Sequence, residues 1–374
     1  MTKENMINAC PLAFNFCEIH NNGAVYPCCP AYCNFYEFGN LNTQDFEEIF
    51  RSEKAKIFRE KILNNDYSLC DLQICAQRYK LINKEEAEKA YLPKHIKMCW
   101  DMECNAACIT CRNKLIRNDA KELEKLKKIE EKILPYIGSL EEITLSGEGD
   151  PFGSRYCQEF IKKVAELNPN IIFNLHTNGA LCSESMVKKL GIYDRIGFVH
   201  ISIHAATKET YDKIVRFSNF NQVWKNIEWL AKRKQEGKVR YIDLTFVTNN
   251  FNYQEMNAFA ELAHKYGATA GFRLCRDWGS DYTKDKMDKV AIWNPEHPEH
   301  WKFLKEISTL DIKSGLVFVE KNIRDLISFD IEERIKYYKK RSLLTFIKRL
   351  FKTPIKKIEK NIRKIMVLLY AYMD

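Results

Sequence analysis

Residues 100–112 read Trp-Asp-Met-Glu-Cys-Asn-Ala-Ala-Cys-Ile-Thr-Cys-Arg and place Cys104, Cys108 and Cys111 within eight positions. The run follows a short strand predicted over His95–Cys99. Cubane iron–sulfur clusters usually take four thiolates, so three thiolates on one loop leave one iron without a protein ligand. The spacing predicts a cluster that binds a further molecule at its open iron. A zinc site or three reduced thiols is the alternative, although zinc motifs favour pairs of CxxC.

This CxxxCxxC run resembles the signature of the radical S-adenosylmethionine (SAM) superfamily. The resemblance implies a 4Fe-4S cluster whose fourth iron is chelated by the amine and carboxylate of SAM. It also implies reductive cleavage of SAM to a 5′-deoxyadenosyl radical that abstracts a substrate hydrogen atom, with flavodoxin or ferredoxin as electron donor. In such enzymes the cofactor carries the hard chemistry, while the protein positions and shields it.

The middle of the chain, residues 93–320, alternates short β-rich runs with helical segments, the pattern of an α/β fold with a parallel sheet. Helical periodicity is clear over 119–136 and 254–266. The strand candidates are His95–Cys99, Glu142–Ser146, Ile171–Thr177, Gly197–His204, Tyr241–Thr248 and Thr269–Cys275. Six strands agree with the partial (β/α)6 barrel of the radical SAM family. Right-handed crossovers would place all their carboxyl ends at one rim, which carries the chemistry in such barrels.

The residues after the second strand, Ser146-Gly147-Glu148, resemble the GGE segment that receives the SAM ammonium in this family. Serine replaces the first glycine here. An ordinary strand-to-helix turn would also account for the glycine and the following Asp150.

Three further residues match family positions that face SAM, two at strand ends and one after a predicted helix. Asn178 lies in a Thr-Asn-Gly turn, Ser202 ends the fourth strand, and Arg216 lies where the family often places an arginine for the SAM carboxylate. A guanidinium fork suits that planar anion. An Asn-Gly turn is common for backbone reasons alone, and Arg216 is equally well explained as a solvated cation at a helix end.

A second cysteine set precedes the predicted barrel, with seven cysteines between residues 10 and 75. The spacing of Cys10, Gly23 and Cys28 resembles the opening of the SPASM motif, which normally follows the barrel. Only one later pair is present, so the module looks like the shortened twitch version with one auxiliary 4Fe-4S cluster. The resemblance implies the ligands Cys10, Cys28, Cys70 and Cys75, with Cys29 or Cys33 as substitutes. A structural zinc knuckle is the alternative.

The cysteines outside both sets are expected to behave as small hydrophobic residues. Cys275 is singled out because it ends the sixth predicted strand. There a thiol is placed to return a hydrogen atom to a substrate radical, which would make the net reaction an epimerisation.

The net charge of +9 belongs to residues 331–374, which hold 13 Lys and Arg against 4 Asp and Glu. The neutral remainder argues against a general nucleic-acid surface. The tail predicts two basic amphipathic helices parted by Pro354, and we expect peripheral contact with the inner face of the membrane. A charged helix docked on the barrel is the alternative. The polar start at Met1 shows no signal peptide, and a cytoplasmic location is expected.

We therefore predict an auxiliary module over 1–80, a partial barrel over 93–320 and a helical tail over 331–374. The predicted function is a radical SAM oxidation or epimerisation of a polar substrate, such as a small sugar or a glycan intermediate. A SPASM-type peptide maturase and a non-enzymatic iron–sulfur electron carrier are the alternatives. No nucleic-acid partner is expected.

Overall fold

The fold is built on one large mixed sheet. The computed structural model describes residues 6–72, 75, 80–88, 92–112, 114–145, 148–276, 284–327 and 330–351. Its strands are β1 (Met6–Ala9), β2 (Phe16–His20), β3 (Ala24–Tyr26), β4 (Gly39–Asn40), β5 (Lys80–Asn83), β6 (His95–Cys99), β7 (Ala107–Cys108), β8 (Glu142–Leu145), β9 (Ile172–Thr177), β10 (Ile196–Ser202), β11 (Val215–Arg216), β12 (Val239–Thr248), β13 (Thr269–Leu274) and β14 (Val317–Val319).

The six predicted strands correspond to β6, β8, β9, β10, β12 and β13. They lie side by side in that order, and every neighbouring pair is parallel. The predicted α/β class with a parallel sheet is confirmed. Helices cross between consecutive strands, so the carboxyl ends of the strands meet at one edge.

The sheet continues beyond the six predicted strands. Parallel β14 joins β13 at one side, and at the other side parallel β2 joins β6, followed by the antiparallel pair β3 and β4. The cysteine-rich module therefore shares a sheet with the predicted barrel. This pairing also covers the backbone groups that β6 would otherwise expose as an edge strand.

The helices owe their places to amphipathic patterns. In α5, Leu126, Ile129 and Ile133 are buried at intervals of three and four, while Asp119 caps the first turn through the backbone NH of Glu122. The helices are α1 (Leu12–Asn15), α2 (Phe46–Phe50), α3 (Glu53–Leu63), α4 (Lys84–Glu88), α5 (Ala120–Ile133), α6 (Arg155–Leu167), α7 (Glu184–Lys189), α8 (Lys208–Ile214), α9 (Phe220–Gln235), α10 (Met256–Lys265), α11 (Lys284–Val290), α12 (His300–Ser308), α13 (Lys321–Leu326) and α14 (Ile331–Phe351).

The two faces of the sheet differ in chemistry because side chains alternate along each strand. One face is apolar and packs on helices; for example, Phe246 of β12 contacts Phe259 of α10. The opposite side, called here the polar face, carries Glu18, His20, Lys97, Cys99, His176, His200, Asp243, Thr245 and Arg273. Parallel register brings these residues, which are far apart in the sequence, onto one surface.

The basic tail begins with α14, which packs on the body of the molecule. Tyr338 contacts His300 of α12 with ring centroids 4.8 Å apart, and Arg341 pairs with Glu296 at 2.5 Å. Pro354 and the second predicted helix lie outside the described residues. Among the helices that are described, none combines the length and apolar character needed to cross a membrane.

Candidate metal centre

The loop that carries Cys104, Cys108 and Cys111 leaves the carboxyl end of β6. Its middle forms β7, which pairs antiparallel with β11, so that Cys108 lies opposite Val215. A tight turn follows, in which the backbone NH of Cys111 donates to the carbonyl oxygen of Cys108 at 2.9 Å. Cys104 is buried, Cys108 is partly buried and Cys111 is exposed. The three thiols thus line a loop with one open side.

Two arginines fix this loop. Arg112 donates to the carbonyl oxygen of Met102 at 2.8 Å and to that of Glu148, and its Nε lies 3.4 Å from the sulfur of Cys111. Arg216 donates to the carbonyl oxygens of Ala107 and Arg112, both at 2.9 Å. The guanidinium of Arg216 is therefore engaged with the loop backbone. Its predicted contact with the SAM carboxylate stays a prediction.

The thiols suit a positively charged metal cluster better than three isolated anions. Burial, followed by the Asp150 carboxylate, raises the pKa of Cys104 to about 11. Burial and the neighbouring Cys104 and Cys111 also raise the pKa of Cys108. Iron binds deprotonated thiolates, so a bound cluster would offset the repulsion between the three negative charges. The donor set therefore fits a cluster held by three cysteines.

The segment after β8 packs tightly against the cysteine loop. Ser146 and Gly147 lie outside the described residues, so their predicted role stays a prediction. A Cβ at Gly149 would collide with the carbonyl oxygens of Asp101 and Glu103. This close approach requires glycine and places Glu148 beside the loop.

Buried Asp150, to which the sequence pattern assigned no role, joins this segment to the turn after β9. One carboxylate oxygen accepts from Thr177 Oγ1 at 2.7 Å and from the backbone NH of Asn178 at 2.8 Å. The other accepts from the backbone NH groups of Phe152 and Gly153. Asp150 thus fixes the two turns relative to each other.

Asn178, like Arg216, is a predicted SAM-facing residue that contacts the cysteine loop. Its buried side-chain amide donates to Asn105 Oδ1 at 2.9 Å and lies 3.7 Å from the sulfur of Cys104. Ser202 ends β10, opposite Thr245. Cys275 is buried directly after β13, where its backbone NH donates to the carbonyl oxygen of Thr248. All three residues lie at the edge formed by the strand carboxyl ends.

The polar face contains charged pairs that the sequence patterns did not reveal. Glu18 of β2 pairs with Lys97 of β6 at 3.0 Å and with His20 at 2.9 Å, and His20 lies 3.5 Å from Glu148. Glu18, His20 and Cys99 present possible metal ligand atoms within 4.8 Å of one another. Because the Lys97 ammonium already neutralises Glu18, we interpret the cluster as an ion-pair network.

A second pair joins β10 and β12. His200 Nδ1 lies 2.7 Å from Asp243, which also accepts from Thr245 Oγ1 at 2.9 Å. The ring of His176 lies 4.6 Å from that of His200. Each of these residues falls at a polar position of an otherwise apolar strand, and that alternation is the only sequence signal that could have found them.

The four predicted auxiliary ligands meet in the structure. Cys10, Cys28, Cys70 and Cys75 line one small apolar cavity that Phe58 and Tyr67 help to close. Burial, with Cys10 and Cys75 nearby, raises the pKa of Cys70 to about 12. The thiols are thus close enough to influence one another, and the set fits one metal cluster.

The two substitute ligands are separated by the fold. Cys33 interacts with Cys28 and so lies beside the cavity. The thiol of Cys29 is influenced by Glu18 and Lys97. The Cys29 thiol thus lies near the polar face, and its role as a substitute ligand stays a prediction.

Comparison with known families gives two matches. Residues 103–263 match the model of the radical SAM superfamily, and residues 10–76 match that of SPASM, an iron–sulfur cluster-binding domain. The matches do not overlap, and the SPASM match comes first along the chain.

The similarity to curated relatives covers only part of each chain. A probable GTP 3′,8-cyclase of Saccharolobus islandicus strain M.14.25 / Kamchatka #1 is 30% identical over 166 residues, which is 44% of this chain and 51% of that protein. The same-named protein of strain Y.N.15.51 / Yellowstone #2 is 32% identical over 126 residues, or 33% and 38% of the two chains. The chain thus spans about half the length of the first relative and less than half of the second.

Among solved structures, TYW1 with a lysine–pyruvate adduct bound is 17% identical, with a TM-score of 0.34 over 57% of this chain and 72% of that chain. Archaeal TYW1 is 16% identical, with a TM-score of 0.27 over 41% and 57%.

Proposed function

This chain is a radical SAM protein with an SPASM iron–sulfur domain at its N-terminal side, as its motifs predict, and we propose that it oxidises or epimerises a polar substrate. Cys104, Cys108 and Cys111 would hold a 4Fe-4S cluster, which with SAM would supply the radical chemistry that removes a substrate hydrogen atom. The sugar or glycan intermediate expected from the sequence is the preferred substrate class.

The observation that carries this proposal is the convergence of Cys104, Cys108 and Cys111 on one loop at the carboxyl edge of a parallel sheet. The three thiolates would hold the cluster. Arg112 and Arg216 keep the loop in place through backbone carbonyl groups. Ligands of open α/β sheets bind at this edge, so substrate and cluster would meet there.

Several residues around the loop would contact different groups of SAM. The Glu148 carboxylate would accept hydrogen bonds from the SAM ammonium. Asn178 lies between the loop and the strand edge. Ser202 would donate to the SAM carboxylate. Asp150 orients the turn that carries Asn178 without touching the ligand itself.

The SPASM domain would hold one auxiliary 4Fe-4S cluster on Cys10, Cys28, Cys70 and Cys75. Support comes from the cavity that these four thiols share. Four soft thiolates also suit zinc, so the metal content is the deciding measurement.

Cys275 remains the proposed hydrogen-atom donor of an epimerisation. The thiyl radical left on Cys275 would be returned to the thiol by one electron from the external electron donor, relayed by the auxiliary cluster, and one proton from water. The burial of its side chain at the carboxyl edge of the sheet supports a position sheltered from water. In deuterated water an epimerised product would carry deuterium from the thiol. A Cys275→Ala variant that incorporates the same deuterium would contradict this assignment.

The test of the whole proposal is anaerobic reconstitution, with iron and sulfide counted per chain and 5′-deoxyadenosine measured after addition of reductant and SAM. Cys104→Ala should abolish the nucleoside. Cys182→Ala removes a buried thiol outside both sets and should preserve it. Protein that holds clusters yet releases no nucleoside would instead be an electron carrier.

Two partners follow as proposals. An electron donor such as flavodoxin or ferredoxin would reduce the cluster. The basic tail would contact an anionic membrane surface on the cytoplasmic side, although packing of α14 on α12 also fits the docked-helix alternative. Co-sedimentation with phosphatidylglycerol vesicles, with and without residues 331–374, separates the two interpretations.

A further inference from the structure

The polar face has an uneven balance of charge. Its carboxylates are already engaged, Glu18 with Lys97 and Asp243 with His200. Glu142, at the amino end of β8, pairs with Arg240 at 2.7 Å. Glu18 and Glu142 are thus neutralised by cations, and Asp243 is held by hydrogen bonds with His200 and Thr245.

Among the residues that the structure describes, Arg273 is a cation of this face with no such partner. It lies in register with Val247 and thus on the same side of the sheet as Asp243. Its guanidinium lies 5.5 Å from the Phe318 ring, and no carboxylate in the described part of the chain lies within ion-pair distance of it. Glu320, the nearby acid, pairs with Arg276 at 3.0 Å and accepts from the backbone NH of Leu274.

The positive charge of Arg273 acts on His176 of the same face. Burial, with the charges of His200, Lys97 and Arg273, holds the pKa of His176 well below its usual range. A neutral imidazole thus lies on the same face as the guanidinium, and both groups can donate hydrogen bonds.

We propose that Arg273 binds an oxyanion group of the substrate, a phosphate or a carboxylate, on the polar face, with His176 as a further donor. A guanidinium fork matches either group with two parallel hydrogen bonds. The inference rests on the proposed function, because it takes the polar face to be the place where substrate lies.

The test is anaerobic calorimetry on the reconstituted full chain, titrated separately with glucose 6-phosphate, glucuronate and glucose. At least one of the two anionic sugars should bind in a saturable manner and more tightly than glucose. The anionic sugar with the higher affinity shows whether the site prefers phosphate or carboxylate. Equal binding of all three sugars, or no binding of either anion, would overturn the proposal.

Variants locate the site. Arg273→Met should lower the affinity for the preferred anionic sugar by about tenfold or more, the scale of a lost charged hydrogen bond. Arg273→Lys should lower that affinity less. Arg240→Met is the matched control, because Arg240 is an arginine of the same sheet that already has an acidic partner. Iron content and circular dichroism establish that each variant is folded. An Arg273→Met protein with unchanged affinity for the anion would refute the assignment.

This experiment is independent of SAM cleavage. If 5′-deoxyadenosine forms and no anion binds, the inference is wrong and the proposed function stands. If no nucleoside forms, the proposed function fails whatever the calorimetry shows.

Discussion

The two cysteine sets reach similar chemistry by different structural routes. Cys104, Cys108 and Cys111 lie within eight consecutive residues, and a local turn with two arginines arranges them. Cys10, Cys28, Cys70 and Cys75 are spread over 66 residues. Bringing such distant residues together costs chain entropy that contacts elsewhere must offset. The first site thus depends on local geometry, and the second on the tertiary structure of its domain.

The largest expected effect separates the functions of the two sets. Cys108→Ala should abolish 5′-deoxyadenosine formation, whereas Cys10→Ala should lower the iron content by about four atoms per chain and preserve some nucleoside formation. Iron analysis and chromatography of the nucleoside measure both. If Cys10→Ala also abolished the nucleoside, the two sites would not be separable in this way.

The next effect concerns the connection between the two regions. Lys97→Met should destabilise the fold by about 3–5 kcal/mol, because it leaves the buried Glu18 carboxylate without its ammonium partner. The double variant Glu18→Gln with Lys97→Met should recover much of that loss. Anaerobic chemical unfolding measures it. A single variant as stable as the parent would show that the pair contributes nothing to the fold.

A smaller effect tests the local support of the first set. Arg112→Met should reduce cluster loading or nucleoside formation by about 10- to 100-fold, the usual cost of losing a residue that orients metal ligands. Arg117→Met is the control, since Arg117 is exposed and pairs with Glu103 of the same loop. Equal losses in both variants would indicate a general loss of charge and not a specific role of Arg112.

The smallest effect is a pH dependence at the contact between the regions. Burial opposes the charged form of His20, yet hydrogen bonds to Glu148 and Glu18 overcome it and raise its pKa to about 9. The stabilisation is therefore complete below about pH 6.5 and lost as the pH rises through 9. We expect about 1–3 kcal/mol from this source.

His20→Gln should flatten the stability profile between pH 6.5 and 9, which anaerobic unfolding across that range detects. The acid side provides an internal comparison. Burial opposes ionisation of Glu18, but Lys97 and His20 lower its pKa to about 2, so its contribution is present above about pH 4.5 and lost as the pH falls through 2. An unchanged alkaline slope in His20→Gln would assign that slope to another group.

The sequence predicted those features that local pattern determines. The six central strands were predicted within a few residues, because buried parallel strands form short apolar runs between turns. The cysteine spacing likewise predicted both sets. The pairing of β2 with β6 was not predicted, since a strand carries no local signal for a partner about 80 residues away.

The same limit applies to the site. Lys97, Asp243 and Glu18 appear in the sequence as isolated polar residues within strands, and only register shows that they share a face. Arg216 matched a motif position, yet its contacts with Ala107 and Arg112 depend on the β7–β11 pair. Motifs therefore identified the candidate ligands, whereas topology identified their neighbours.

The shared sheet limits how this protein can be dissected. A chain shortened to begin at residue 93 would expose β6 with unsatisfied backbone NH and carbonyl groups where β2 now pairs. Such an edge is a template for association with other chains, so the shortened protein should aggregate and not yield an isolated catalytic half. The contribution of the N-terminal domain is thus accessible through single substitutions that keep the strand intact.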